Sequence, residues 1–233
     1  MPVKTIVSIW PLFAGLSLIG LAVGVQGSLL GVRAELEGFD DYLIGLLMSC
    51  YFAGFLAGSL LTPKMIQRVG HIRIFAALSA VASVTILVHS IYVNPWAWAL
   101  MRLLTGFAFS TIYVVSESWL NQASNNTNRG QILSLYTAIL LAGICAGQFM
   151  LNVANPREFT LFILISVMVS VAAVPILLSV ITTPAIEETE RVTIRHLWYR
   201  TPMGVTGIVL SQWVSSILFG MGAVYATKLG FSV

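Results

Sequence analysis

Apolar residues gather into seven long runs, roughly 6–30, 42–62, 73–93, 96–118, 131–152, 158–181 and 203–226, with short polar or proline-bearing breaks between them. Each run supplies the about 20 apolar residues that a helix needs to cross a bilayer. In lipid a lone segment must satisfy its own backbone, so each run predicts a helix and not a strand. The breaks read VRAELEGFDD, PKMIQRVGH, NP, LNQASNNTNRG and ANPRE, with a longer TPAIEETERVTIRHLWYRTP before the last run. None has room for a soluble domain. The first run lacks a small-residue cleavage pattern and is longer than a signal-peptide core, so it reads as a true span. The predicted fold is all-α, a polytopic membrane bundle of about seven helices. It divides into a six-helix bundle (1–181), a polar linker (182–201) and one helix opening a second bundle (202–233). A count of six plus one predicts a chain that continues.

Composition agrees with this pattern: 58% of residues are hydrophobic, 9% are charged, and the mean hydropathy is +0.90. A soluble domain carries about 25% charged residues. Twelve Lys and Arg in 233 residues, a net charge of +3, make no basic stripe, which excludes a nucleic-acid partner. The charge instead reports topology. With the N-terminus in the cytoplasm, that side holds Lys4, Lys64, Arg68, Arg73, Arg129, Arg191, Arg195 and Arg200, against Arg33, Arg157 and Lys228 outside. This asymmetry satisfies the positive-inside rule for a multi-pass protein of a cell inner (plasma) membrane. Cys50 and Cys145 lie in apolar runs with no CxxC or Cys/His cluster, so no metal or other cofactor is expected.

Within the spans the ionisable residues are Arg102, Glu117 and His89. A charge at mid-bilayer costs about 2.5–3.5 kcal/mol on insertion scales and must face protein or water. At about 100° per residue, Arg102, Thr105, Gly106, Tyr113, Ser116 and Glu117 share one face of the fourth span. That face lines a cavity or a helix seam. Arg102 and Glu117 lie about 22 Å apart along the axis and belong to opposite ends. Arg102 either snorkels outward or takes an inward functional role, and the polar stripe favours the second. Glu117 is a solvated helix end, a partner for a basic loop residue, or a proton carrier. His89 reads as a satisfied structural histidine. Gln26, Gln148, Asn152 and Gln212, with Ser215 and Ser216, serve as helix-to-helix glue or as solute contacts. Trp10, Trp96, Trp98 and Trp119 fall near predicted interfaces and are read as an aromatic belt. The pairs Gly20/Gly24, Gly54/Gly58 and Gly143/Gly147 each form a GxxxG, a close-packing face. The sequon at Asn125 sits in a predicted cytoplasmic loop and is read as chance.

Several of these features together resemble the major facilitator superfamily. The segment Pro63 to Arg73 (PKMIQRVGHIR) resembles its signature loop, roughly Gly-x-x-x-Asp-Arg-x-Gly-Arg-Arg/Lys. Arg68, Gly70 and Arg73 match, while Pro63 and Gln67 replace the Gly and Asp. The resemblance implies an inner gate of Arg68, Gly70 and Arg73, with Glu117 as the surviving acidic partner of Arg68. Arg102-x-x-x-Gly106 is similar to the family's Arg-x-x-x-Gly cavity motif. Gly143-Ile-Cys-Ala-Gly147-Gln148 resembles an antiporter motif whose final Pro is here Gln148, and Arg129-Gly130 stands where the family carries an Arg-Gly pair. The acidic residue that many drug exporters carry in the first span is absent. Uncharacterised bacterial members of the family are the nearest in pattern.

The family implies a secondary transporter that moves a small-molecule solute by alternating access, with protons as the candidate coupling ion. Its substrate pathway would include Gln26, Arg102, Tyr113, Gln148 and Gln212, and Gly54, Gly58, Gly106, Gly143 and Gly147 would pack its helices. The alternatives are a seven-span receptor or a non-transporting membrane subunit. Lys228 lies too near its helix end for a retinal Schiff base, and no Gly-x-Ser-Gly nucleophile suggests an intramembrane enzyme.

Overall fold

The computed structural model describes residues 3–179 and 194–230, and no strand occurs among them. The long helices are α1 (Val3–Leu36), α2 (Asp41–Val69), α3 (His71–Ile91), α4 (Pro95–Gln122) and α5 (Arg129–Met150). A 3-10 turn (Leu151–Val153) leads toward α6 (Thr160–Ala172) and α7 (Val174–Leu178), which together make the sixth apolar span. A short α8 (Ile194–Arg200) and then α9 (Pro202–Lys228) follow. Six helices are long and apolar enough to cross a bilayer, and α9 is a seventh if its two parts, bent by 40°, form one span. The expected linker 182–201 lies outside the described residues up to 193, and its last seven residues form α8.

Two breaks foreseen in the sequence are helical. Pro63 does not end α2, which runs six residues further to Val69. A proline removes one backbone bond and bends a helix without always stopping it. Here Ile66 stays buried beyond it, so the apolar face continues. The connection to α3 then shrinks to Gly70, whose φ of 88° is a conformation that side chains other than glycine resist. Likewise α1 continues through Arg33 and Glu35. Arg33 pairs with Glu37 at 2.7 Å one turn on, and its guanidinium also donates to the Pro156 carbonyl at 3.1 Å and to that of Arg157. Elsewhere the local rules hold. Asn94 caps α4 by accepting the amides of Trp96 and Ala97, with Pro95 opening the helix.

The packing has an internal symmetry. Helix α2 lies along α4, α1 along α5, α3 against both α4 and α6, and α1 against α6. Exchanging α1 with α4, α2 with α5 and α3 with α6 leaves this set of neighbours unchanged. Three is odd, so successive three-span units run in opposite directions, and the six-helix bundle is a pair of inverted repeats. The two corresponding seams are both built on glycine. A Cβ on Gly54 or Gly106 would overlap the carbonyl of Leu103 or Tyr51 across the α2–α4 seam. On the α1–α5 seam, a Cβ on Gly20 would fall 2.8 Å from the Leu140 carbonyl oxygen, and one on Gly143 3.0 Å from that of Ser17; Gly147 meets Leu21. Hydroxyl pairs tie the rest: Thr62 to Thr111 at 3.0 Å, Thr85 with Thr105 at 2.8 Å, Ser83 with Ser166 at 2.6 Å. Between lipid-bathed helices, close backbone approach and such bonds replace the hydrophobic drive.

Candidate functional site

The polar face of α4 divides between seam and cavity. Thr105 bonds Thr85, Gly106 lies against the α2 backbone, and Ser116 donates to its own helix at the Ile112 carbonyl, 2.7 Å away. Arg102 and Tyr113 instead border a cavity of about 530 Å³. Its wall is completed by Gln26 of α1, by Met48, Tyr51, Phe52 and Phe55 of α2, and by Ile144 of α5. Helix α9 borders it with Gln212, Ser215 and Ser216. The volume lies within the range of about 300–1,000 Å³ typical of small-molecule sites.

Arg102 does not snorkel. It is 5% exposed, its guanidinium lies 4.6 Å from the centre of the Tyr51 ring, and Nη2 donates to the Met48 sulfur at 3.0 Å. Nε is buried without a hydrogen-bond partner, and no carboxylate among the described residues forms an ion pair with it. Gln26, 2% exposed, likewise has a buried Nε2 that donates to nothing. The aromatic wall is continuous: Tyr51 and Phe55 are 6.1 Å apart, as are Phe55 and Tyr113. Sequence reasoning missed Met48, Tyr51, Phe52 and Phe55. Their aromatic spacing of i, i+1 and i+4 was the available signal, but it equally describes a lipid-facing stripe.

Of the five residues expected on the substrate pathway, Gln26, Arg102, Tyr113 and Gln212 border this cavity and Gln148 does not. The Gln148 amide donates to the Gly24 carbonyl at 2.8 Å and accepts from Ser28 at 2.7 Å, which makes it a strut across the α1–α5 seam. The expected inner-gate residues sit together less closely. Gly70 joins α2 to α3, with Arg68 in the last turn of α2 and Arg73 in the first of α3, both exposed. Among the described residues neither arginine forms an ion pair. Glu117 does not meet Arg68; its carboxylate accepts from the Tyr136 hydroxyl of α5 at 3.1 Å. Nearby, His71 holds the α2–α3 turn to α4 through Ser118 at 3.1 Å.

Two tryptophans read as belt residues belong to the core. Trp98 and Trp119 are 1% and 3% exposed, whereas Trp10 and Trp96 face outward. The Trp98 indole donates to the Tyr92 carbonyl at 2.9 Å and packs against Phe39 and His89, which removes any need for an aqueous partner. His89 is buried with Nδ1 on the Thr85 carbonyl at 2.6 Å, and its Nε2 has no partner. At the opposite end from the α2–α3 turn, Lys228 of α9 reaches Asp41 and lies 3.8 Å from Glu35, so the acidic α1–α2 connection grips the last turn of α9.

The family profile described as Major Facilitator Superfamily matches residues 12–233. An uncharacterized MFS-type transporter of Enterobacter sp. (strain 638) is 29% identical over 227 residues, covering 95% of this chain and 58% of its own length. The uncharacterized MFS-type transporter YcaD of Escherichia fergusonii is 27% identical over 223 residues, and one of Yersinia enterocolitica is 26% identical over 226, with the same coverage of 95% and 58%. The chain thus spans a little over half the length of these relatives. A profile matched along nearly every helix, on a bundle of two inverted three-helix units, establishes that this multi-pass membrane chain belongs to the major facilitator superfamily.

Proposed function

We propose that the chain supplies one bundle, and the first helix of the second, of a secondary transporter that moves a small solute by alternating access. The observation that carries the reading is Arg102, a buried guanidinium with no carboxylate paired to it among the described residues, beside a cavity that α9 also borders. A dehydrated charge is costly to keep unless something passing through the cavity uses it. In this reading the solute sits between the bundles against Gln26, Arg102, Tyr113 and Gln212, and Gln148 acts indirectly by holding α5 to α1. The halves rock about it on the glycine seams.

In this reading the N-terminus lies on the cytoplasmic side of a bacterial inner membrane, and Arg68, Gly70, Arg73 and Glu117 mark the inner gate while the Lys228 contacts mark the outer one. The contacts of Lys228 with Asp41 and Glu35 then hold the outer gate closed. A proton is the coupling ion if the second bundle offers Arg102 a titrating acid.

Cysteine accessibility tests the proposal. In the full protein, with Cys50 and Cys145 replaced by serine, single cysteines at Phe52, Tyr113 and Gln212 should react with a membrane-impermeant maleimide from one side of the membrane at a time. A cysteine at Leu56, on the exposed outer surface of α2, should stay unreactive. If no cavity position ever reacts, the site is dry and the transporter reading falls.

A further inference from the structure

Unpaired donors on residues that border the cavity indicate what it carries, given that the cavity is the solute site. Arginine offers five N–H donors in one plane. In Arg102 the sole hydrogen-bond acceptor among the described residues is a thioether sulfur, a weak one. The guanidinium also lies over the Tyr51 ring, and a stacked guanidinium keeps its N–H edge available for a planar, two-pronged partner. Gln26 adds a second unused donor, Nε2, from α1. Among the described residues neither Asp nor Glu borders the cavity. Two unsatisfied donors, one of them a full positive charge, are buried in a wall that is otherwise aromatic and aliphatic. They ask for an acceptor that brings its own negative charge.

We infer that the cavity takes an amphipathic organic carboxylate. Its carboxylate sits on Arg102 and Gln26, and its apolar body lies along Tyr51, Phe52, Phe55 and Tyr113. Arg102 gives a bidentate charge-assisted pair, and the Gln26 amide donates to a carboxylate oxygen. The ring wall and Ile144 take up an aromatic or branched tail. Neutral analogues lose the ionic pairing and leave the guanidinium desolvated, so the site discriminates against them.

The test uses the full protein in lipid nanodiscs and three probes of one shape: 4-phenylbutyrate, 4-phenylbutyramide and 4-phenylbutylamine. Calorimetric titration should show the carboxylate binding at least about tenfold more tightly than the amide, with the amine not binding. Arg102→Gln should erase the preference for carboxylate over amide, and Gln26→Leu should weaken carboxylate binding by about tenfold. Because the three probes are compared on the unaltered protein, the result stands even if Arg102→Gln fails to fold. Equal binding of amide and carboxylate, or binding of none of the three, overturns the inference. So does preferred binding of the amine, which would mean that an acid elsewhere in the protein already neutralises Arg102. Any of these outcomes beside normal cysteine labelling of the cavity leaves the transporter reading intact and removes only the anion.

Discussion

Replacing Gly58 by alanine should loosen the α2–α4 seam by a predictable amount. The added Cβ would lie 2.6 Å from the Phe107 carbonyl oxygen and 3.1 Å from Cβ of Ser110. Ordinary contact begins near 3.4 Å, so α4 must yield by the difference between 3.4 and 2.6 Å, about 0.8 Å. The obstacle is backbone, which has no rotamer to change. Overpacking of this kind costs about 1–3 kcal/mol. Alanine also favours a helix over glycine by about 0.8–1.0 kcal/mol, which hides part of the cost. Gly45 of the same helix removes that ambiguity, since nothing lies within 4 Å of a Cβ placed there. Gly45→Ala should therefore be neutral or stabilising by up to about 1 kcal/mol. The difference between the two variants isolates the steric cost, about 1–3 kcal/mol. The assay is equilibrium unfolding of the full protein in mixed detergent micelles, followed by tryptophan fluorescence. Gly54→Ala, whose Cβ overlaps the Leu103 carbonyl, should fall at or beyond the upper end. The seam also sets the cavity, because Tyr51 and Arg102 stand within one turn of Gly54 and Gly106. Equal stability of Gly58→Ala and Gly45→Ala, within about 0.5 kcal/mol, would refute the close-packed seam.

Two further outcomes follow from the ends of the bundle. Tyr136→Phe and Glu117→Gln should couple in a double-mutant cycle of unfolding by about 0.5–1.5 kcal/mol, while Arg68→Ala and Glu117→Gln should be additive; coupling confined to the second pair would restore the gate pairing expected from the sequence. At the other end, cysteines replacing Lys228 and Asp41 should join through a short bismaleimide linker and arrest solute movement in proteoliposomes. Continued movement by the cross-linked protein would show that α9 need not leave the α1–α2 connection.

Much of this molecule is legible in its sequence because lipid imposes local rules. A span must be apolar for about 20 residues and helical throughout, so the number and order of helices follow from runs of residue types alone. The inward direction of Arg102 followed in the same way, from a polar stripe at helical spacing. Gln26, Tyr113 and Gln212 were named for being polar in apolar surroundings, and they border the same cavity. The glycine pairs announced tight faces, though not which helices would meet there.

What escaped the reading depends on residues distant in the chain. Gln148 read equally as helix-to-helix glue or as a solute contact, and it is a strut because Gly24 and Ser28 lie opposite it, more than a hundred residues away. Trp98 and Trp119 sit at belt-like positions, yet partners from α3 and from the α1–α2 connection bury them. The α2 aromatics are lipid stripe or cavity wall according to how far α2 rotates, and that angle is set by Gly54 and Gly58 against α4. Chain chemistry dictates that these segments are helices and which faces cannot meet lipid. Which faces meet one another, and so which donors are left without acceptors, emerges only when carbonyls and glycines of separate helices compete for the same space.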